Sequence, residues 1–164
     1  MTEDFDIRSA AAEATSLLTG RYTLSTAESC TGGLLGGALT DAPGASKFFL
    51  GGAVVYSYGS KEKVLGVDRK ILEQFGAVSA EAAKEMAEGA AEAFGSDLSV
   101  AVTGIAGPEG ATPQKAVGTV FIAVSDGKNT EAREFRIPGD RGRVREGSVW
   151  HALRLLSEFV SDLP

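Results

Sequence analysis

The sequence predicts the α/β fold class, a three-layer α/β/α sandwich around a mixed, mostly parallel sheet of five strands. Short apolar runs alternate with segments of helical spacing through the first hundred residues, which is typical of a parallel sheet covered by helices on both faces. Two later runs, 119–124 and 130–137, lie on either side of Asp126-Gly127, which predicts an antiparallel hairpin. The 164 residues contain no internal repeat or linker, so we expect a single domain over 1–164.

The first forty-four residues predict a helix followed by a strand, a tight turn and a second helix. Helical spacing of apolar residues, strand-like runs and the glycines and prolines between them set the limits of each element. The predicted elements are a helix over 7–18 ended by Gly20, a strand over 22–27, a tight turn over 28–33, and a helix from 34 that is closed by 41–44.

The rest of the chain supplies the other strands and helices. The predicted elements are a strand over 51–57, a helical turn over 60–65, a helix capped by Asp68 and stopped at Gly76, a helix capped by Ser79 that ends before Gly95, a strand over 98–103, a loop over 104–118 and, after the hairpin, a helix from about 140 to 159. Ligands of such sheets bind beyond the carboxyl ends of the parallel strands. Three segments leave from those ends, namely those that begin at Glu28, after Tyr56 and at Thr103.

Composition excludes several classes of function. The formal charge of -6 disfavours a general nucleic-acid binder, because the surface repels polyanions. No apolar run approaches the ~20 residues that span a bilayer, and the acidic start is unlike a secretory signal, so we expect no membrane partner and a cytoplasmic location. One cysteine and one histidine exclude a disulfide or a Cys/His zinc site within the chain. A carboxylate-bound magnesium stays open, although no Asp-x-Asp pair appears.

The turn that follows the first strand is the first candidate site. Ser29 lies where a strand turns sharply into a helix, and Thr31, Gly32 and Gly33 place N–H groups at the positive end of that helix. Such a turn suits an anion or a developing oxyanion and resembles a nucleophile elbow, but the Gly-x-Ser-x-Gly pattern is absent. The alternative is that Ser29 or Thr31 only caps the helix.

A serine nucleophile needs a base, and the candidates are lysines and carboxylates. Lys61 and Lys63 follow the second strand near the same edge of the sheet, and a partly buried lysine loses its proton more easily. Most lysines are solvated surface charges, and we expect Lys63 to be one. Cys30 is a competing nucleophile, but a lone cysteine is more often a small buried apolar residue, and the single histidine, His151, lies in the last helix.

Two further segments carry candidate binding residues. The loop from Thr103 and Gly104 begins with small and apolar residues, so its backbone N–H groups are candidates for lining a pocket. The alternative is a tight structural loop. Arg141, Arg143 and Arg145 occupy the first turn of the last helix, where the helix dipole favours acidic residues. Three cations there indicate a bound anion such as a phosphate, and the alternative is a solvated face, especially for Arg143.

A resemblance to a known family covers nearly the whole chain. It begins at Ala27-Glu-Ser-Cys-Thr-Gly-Gly33, which is similar to the CinA C-terminal domain family, the nicotinamide mononucleotide deamidases. It continues in order through Tyr56-Ser57 and Lys61, Leu65-Gly-Val67, Gly76-Ala-Val-Ser79, Thr103-Gly-Ile-Ala-Gly-Pro108, Val117-Gly-Thr-Val120 and Gly139-Asp-Arg141. Many relatives carry an additional N-terminal domain, for which we expect no room in 164 residues.

The resemblance implies hydrolysis of the carboxamide of nicotinamide mononucleotide to nicotinic acid mononucleotide and ammonia, in pyridine-nucleotide recycling, without metal or other cofactor. It implies Ser29 as nucleophile, Lys61 as its base and Thr103 as a polar contact. The substrate-binding residues it implies are Thr31, Gly32, Gly33, Tyr56 and Gly104 around the pocket, with Arg141 and Arg145 at the phosphate. It also implies a homo-oligomer. A catalytically silent nucleotide-binding module is the alternative function.

One position departs from the family pattern. The commonest family sequence has an asparagine after Tyr-Ser, where this chain has Tyr58. An aromatic ring is suited to stacking on a flat pyridine, so Tyr58 is retained as a candidate substrate contact.

Overall fold

The middle layer of the described part of the chain is one five-stranded sheet. The computed structural model describes residues 4–164; residues 1–3, at the acidic start of the sequence, lie outside the described range. The strands are β1 (Leu24–Glu28), β2 (Phe49–Val54), β3 (Leu98–Gly104), β4 (Thr119–Ser125) and β5 (Thr130–Arg136). Their order is β2-β1-β3-β4-β5, with β1 parallel to both of its neighbours and β4 antiparallel to both of its own. Four strands therefore share one direction, which confirms a mixed, mostly parallel sheet.

Within residues 4–164, six helices cover the two faces of this sheet. They are α1 (Ile7–Leu18), α2 (Leu34–Thr40), α3 (Tyr58–Leu65), α4 (Arg69–Phe75), α5 (Ala80–Phe94) and α6 (Arg141–Ser161), with a 3-10 turn over Ala45–Lys47. Side chains of α1, α2 and α6 form one apolar core with Val100 and Ile122 of the sheet. Side chains of α3, α4 and α5 form a second core against Ala27 and Ala101. The three-layer prediction is confirmed.

Most of the predicted element limits are also confirmed, and the second strand is the clearest exception. Asp68 and Ser79 cap α4 and α5 with their side chains, as expected. The second strand ends at Val54 rather than Ser57, because the Ser57 side chain accepts a hydrogen bond from the Ser60 N–H and caps α3. None of the helices within residues 4–164 combines the length and apolarity that a membrane span requires.

Candidate active site

A cavity of about 280 Å³ opens at the carboxyl ends of β1, β2 and β3. This is the edge at which the three predicted segments leave the sheet. The cavity is lined by Ser29, Cys30, Tyr56, Lys61, Ala77, Val78, Thr103, Gly104, Ile105, Ala106, Gly107, Glu109, Gly110 and Arg141. A larger groove of about 630 Å³ lies between α1 and α2, but its lining holds no candidate nucleophile paired with a base.

A serine and a lysine are in direct contact in the cavity wall. The Ser29 N–H donates to the Val102 carbonyl across 3.0 Å, which holds the serine at the end of the sheet. Lys61 comes from α3 and is only 1% exposed. Its Nζ donates to Ser29 Oγ across 2.9 Å and to the Val55 carbonyl across 2.8 Å. The fold therefore pairs a hydroxyl with an amine drawn from two different elements.

Burial changes the ionisation of Lys61 and of the neighbouring Cys30. Loss of hydration lowers the pKa of Lys61 from 10.5 to about 8, because burial disfavours the ammonium. About a tenth of the amine is thus neutral at pH 7, and this neutral form is the one that acts as a general base. Burial also raises the pKa of the neighbouring Cys30 thiol to about 11. Cys30 is therefore a protonated thiol, which is a poor nucleophile.

The backbone of the nucleophile turn is held by a buried carboxylate. Glu28 is 2% exposed, and its two carboxylate oxygens accept hydrogen bonds from the N–H groups of Gly33, Leu35 and Gly36 at 2.8–3.2 Å. The Gly32 N–H donates to the Ser29 carbonyl. The prediction that Gly32 and Gly33 present unpaired N–H groups to an anion is wrong, because Glu28 and the turn itself already take them.

The predicted turn residues also lie on the far side of the turn from the cavity. Thr31, Gly32 and Gly33 are absent from its lining, and the buried Thr31 Oγ1 has no hydrogen-bond partner among residues 4–164. Gly32 and Gly33 have φ of +59° and +102°, values that L side chains rarely adopt. Their glycine identity therefore follows from the sharp turn rather than from contact with a ligand in this cavity.

Arg145 holds the opposite side of the same turn. Its Nε donates to the Cys30 carbonyl across 3.1 Å and its Nη2 to the Thr31 carbonyl across 3.2 Å. Arg145 does not line the cavity. The structure therefore places this arginine on the backbone behind the nucleophile, and not where the predicted phosphate contact requires it.

Arg141 lies at the cavity rim. Its Nη1 donates to the Gly107 carbonyl across 2.7 Å, and its Nη2 donates to the Tyr56 hydroxyl across 3.0 Å. These contacts join the segment after β2 to the loop after β3. A guanidinium has five N–H donors, so donors remain for an anionic ligand. Arg141, Tyr56 and Gly104 all line the cavity, in agreement with their predicted positions.

Thr103 and Tyr58 hold one wall of the cavity. Thr103 Oγ1 donates to the Ala77 carbonyl across 2.8 Å, while the Tyr58 hydroxyl accepts from the Ala77 N–H across 3.3 Å. Lys115 Nζ donates to the carbonyl of Phe75 across 2.8 Å and to that of Val78. Tyr58 itself is absent from the lining, so the structure places it behind the wall.

The remaining candidates lie away from this cavity. The Arg143 guanidinium stacks over the Phe5 ring at 4.0 Å from its centroid. The His151 ring packs against Phe135, with a centroid distance of 4.4 Å, and against Trp150. A Cys30–His151 pair is therefore not formed. Across residues 4–164, no group of three or more His, Cys, Asp and Glu side chains is placed to hold a metal ion.

The fold and the site define an α/β/α sandwich that carries a serine–lysine pair at the carboxyl edge of its parallel strands. The chain belongs to the CinA C-terminal domain family, whose model matches residues 7–160. It is 50% identical over 149 residues to a CinA-like protein of Mycobacterium tuberculosis, covering 90% of this chain and 34% of that protein. It is 45% identical over 162 residues to a putative competence-damage inducible protein of Acetivibrio thermocellus, covering 99% of this chain and 39% of that one.

Solved structures show the same fold. The crystal structure of competence damage-inducible protein A from Klebsiella pneumoniae superposes with a TM-score of 0.93 at 35% identity, covering 96% of this chain and 99% of that one. A competence/damage inducible protein from Agrobacterium tumefaciens gives 0.90 at 38% identity, covering 99% of each chain. The chain spans about a third of the length of the curated relatives described above.

Proposed function

We propose that this protein is a nicotinamide-nucleotide amidohydrolase, which converts nicotinamide mononucleotide to nicotinic acid mononucleotide and ammonia in pyridine-nucleotide recycling. The observation that carries the proposal is the 2.9 Å hydrogen bond between Lys61 Nζ and Ser29 Oγ in the wall of a cavity. A buried amine in contact with a hydroxyl is one of the arrangements that activate a serine for acyl transfer. The family resemblance supplies the choice of substrate.

The acylation half-reaction follows from this pair. Neutral Lys61 takes the proton of the Ser29 hydroxyl as Oγ forms a bond to the carboxamide carbon, and the carbonyl π electrons move to its oxygen. The backbone N–H of Cys30, the residue after the nucleophile, is the donor that we assign to this oxyanion. The Lys61 ammonium then protonates the leaving nitrogen, the C–N bond breaks, and ammonia departs from an ester of Ser29.

Hydrolysis of the ester returns the enzyme to its starting state. Lys61 takes a proton from water as the water oxygen bonds to the acyl carbon, and the C–O bond to Ser29 breaks. Lys61 then returns the proton to Oγ. The sum is one amide and one water converted to one carboxylic acid and one ammonia, and no redox or metal step is needed.

Substrate orientation depends on the other end of the cavity. The nucleotide phosphate requires a cationic partner in a protein of net charge -6. Arg141 lines the same cavity as Ser29 and has guanidinium donors left after its bonds to Gly107 and Tyr56. We therefore assign the phosphate to Arg141 alone, because Arg145 is bound to backbone carbonyls outside the cavity.

Ammonia release from nicotinamide mononucleotide tests the proposal. The wild-type protein should release one ammonia per nicotinic acid mononucleotide formed, and the Ser29→Ala variant should bind the substrate without turnover. Calorimetric binding by the wild type without ammonia release would instead identify a silent nucleotide-binding module. The proposal also includes a cytoplasmic homo-oligomer, whose mass in solution sedimentation would measure.

A further inference from the structure

We propose that Glu109 selects substrates with a positively charged ring, an inference that rests on the proposed function and extends it. Glu109 lies on the loop after β3 and is a carboxylate in the lining of the cavity. Its side chain is exposed, and within residues 4–164 it forms no hydrogen bond or ion pair. An anion is thus available to a ligand that enters the cavity.

The cavity is also lined by the Arg141 guanidinium, which forms no ion pair with the Glu109 carboxylate. Arg141 lines the same space, yet it donates to the Gly107 carbonyl and the Tyr56 hydroxyl rather than to Glu109. The third charged group, Lys61, is buried against Ser29. Opposite charges that face one cavity without pairing favour a ligand that carries both signs.

A nicotinamide mononucleotide has that pattern of charge. Its ring nitrogen bears a glycosidic bond and is positive at every pH, and its phosphate is negative. With the phosphate at Arg141 and the carboxamide at Ser29, the ring lies between them, within the space that Glu109 lines. A carboxylate there attracts the cationic ring and gives no such advantage to an uncharged one.

The expected kinetic effect is specific. The charge on the ring does not change during amide hydrolysis, so Glu109 stabilises the ground state and the transition state about equally. Its loss should raise KM and leave kcat nearly unchanged. Because the side chain is exposed, we expect a change of about two- to fivefold.

The experiment compares Glu109→Gln with the wild type and with Glu92→Gln, a matched charge removal on the exposed face of α5. Each protein is assayed with nicotinamide mononucleotide as substrate and with its 1,4-dihydro form, whose ring is uncharged, as a competitor. Glu109→Gln should raise KM for the cationic nucleotide about two- to fivefold with little change in the inhibition constant of the dihydro form. Glu92→Gln should leave both constants at wild-type values.

Two results would overturn the inference. If both constants of Glu109→Gln stay at wild-type values, Glu109 is a solvated loop charge. If both rise together, the carboxylate contacts the ribose hydroxyls, which the two nucleotides share, or shapes the loop. Failure of the wild type to hydrolyse the mononucleotide at all contradicts the proposed function itself, so the two failures are distinguishable.

Discussion

Arg141 and Arg145 stand one turn apart at the start of α6 and hold different parts of the candidate site. Arg141 contacts the loop after β3 and the Tyr56 hydroxyl at the cavity rim. Arg145 contacts the carbonyls of Cys30 and Thr31 behind the nucleophile. We therefore expect their removal to change different kinetic constants.

Replacement of Arg141 by alanine should weaken substrate binding. The phosphate contact lies far from the carboxamide and is made about equally in the ground and transition states, so KM should rise more than kcat falls. Loss of one charge-assisted hydrogen bond costs about 1.5 to 3 kcal/mol, or roughly ten- to a hundredfold in affinity. The measurement is kcat/KM for the mononucleotide relative to the unphosphorylated riboside. An unchanged ratio would assign the phosphate to another group.

Replacement of Arg145 by alanine should lower kcat. The ratio of kcat/KM for the mononucleotide to kcat/KM for the riboside should stay unchanged. Its two hydrogen bonds hold the backbone that positions Ser29, and the carbonyls of Cys30 and Thr31 lose a charged donor. The free energy of unfolding in urea should fall by about 1 to 3 kcal/mol. Arg145→Lys, which restores one donor, should recover part of both losses. If kcat/KM for the mononucleotide fell relative to that for the riboside, Arg145 would be assigned to the phosphate.

Serine and cysteine substitutions should separate the two adjacent nucleophile candidates. Ser29→Ala removes the attacking oxygen, so turnover should be lost while most ground-state contacts survive. Cys30→Ala should stay active, because the raised pKa of about 11 keeps the thiol protonated. Iodoacetamide should not inactivate the folded wild type, since Cys30 is buried. An inactive Cys30→Ala protein together with an active Ser29→Ala protein would reverse the assignment.

The meeting of Ser29, Lys61 and Thr103 was predictable because it depends on strand direction. Ser29 follows β1, Lys61 lies in the helix after β2, and Thr103 is near the end of β3. Parallel strands bring their carboxyl ends to one edge of the sheet. Helix limits were also predictable where Asp68 and Ser79 cap local N–H groups. These signals lie within a few residues of the features that they determine.

The individual side-chain contacts of Arg141, Arg145 and Lys115 were beyond the reach of such local signals. Helical spacing places Arg141 and Arg145 on one side of α6, but only the packing of α6 against the nucleophile turn shows which arginine faces the cavity. Lys115 was not predicted as a wall residue, because its bonds to Phe75 and Val78 cross about forty residues. Glu28 carried a usable signal: an acidic residue at the end of a strand, just before a helix N-terminus, indicates a carboxylate that caps the helix.

Ammonia release should be unaffected by EDTA. The proposed nucleophile and base are side chains in direct contact, and the proposed half-reactions move protons between Ser29, Lys61, water and the leaving nitrogen. The measurement compares initial rates before and after dialysis against the chelator. A lost rate that returns with added Mg²⁺ or Zn²⁺ would contradict the Ser–Lys mechanism.

The pH dependence of activity should report the ionisation of Lys61. The base must be neutral to accept the Ser29 proton, and burial lowers its pKa to about 8. The kcat/KM value should therefore rise nearly tenfold per pH unit just above pH 6.5, more slowly as the pH approaches 8, and level off near pH 9. Measurements begin at pH 6.5 because the substrate phosphate titrates near pH 6. A flat profile between pH 6.5 and 9 would exclude Lys61 as the base.

Stability should depend on the same group, with a sign that follows from the two pKa values. The pKa of Lys61 is lower in the folded protein, about 8, than its ordinary value of 10.5, so the unfolded chain binds more protons between these limits. Below pH 8 the buried ammonium destabilises the folded protein to its full extent. As the pH rises from 8 to 10.5 this destabilisation is relieved, so the free energy of unfolding should increase. Urea unfolding at pH 7 and pH 10 measures the change, and Lys61→Met, which cannot ionise, should remove it. An equal pH dependence in both proteins would show that Lys61 has the same pKa in the folded and unfolded states.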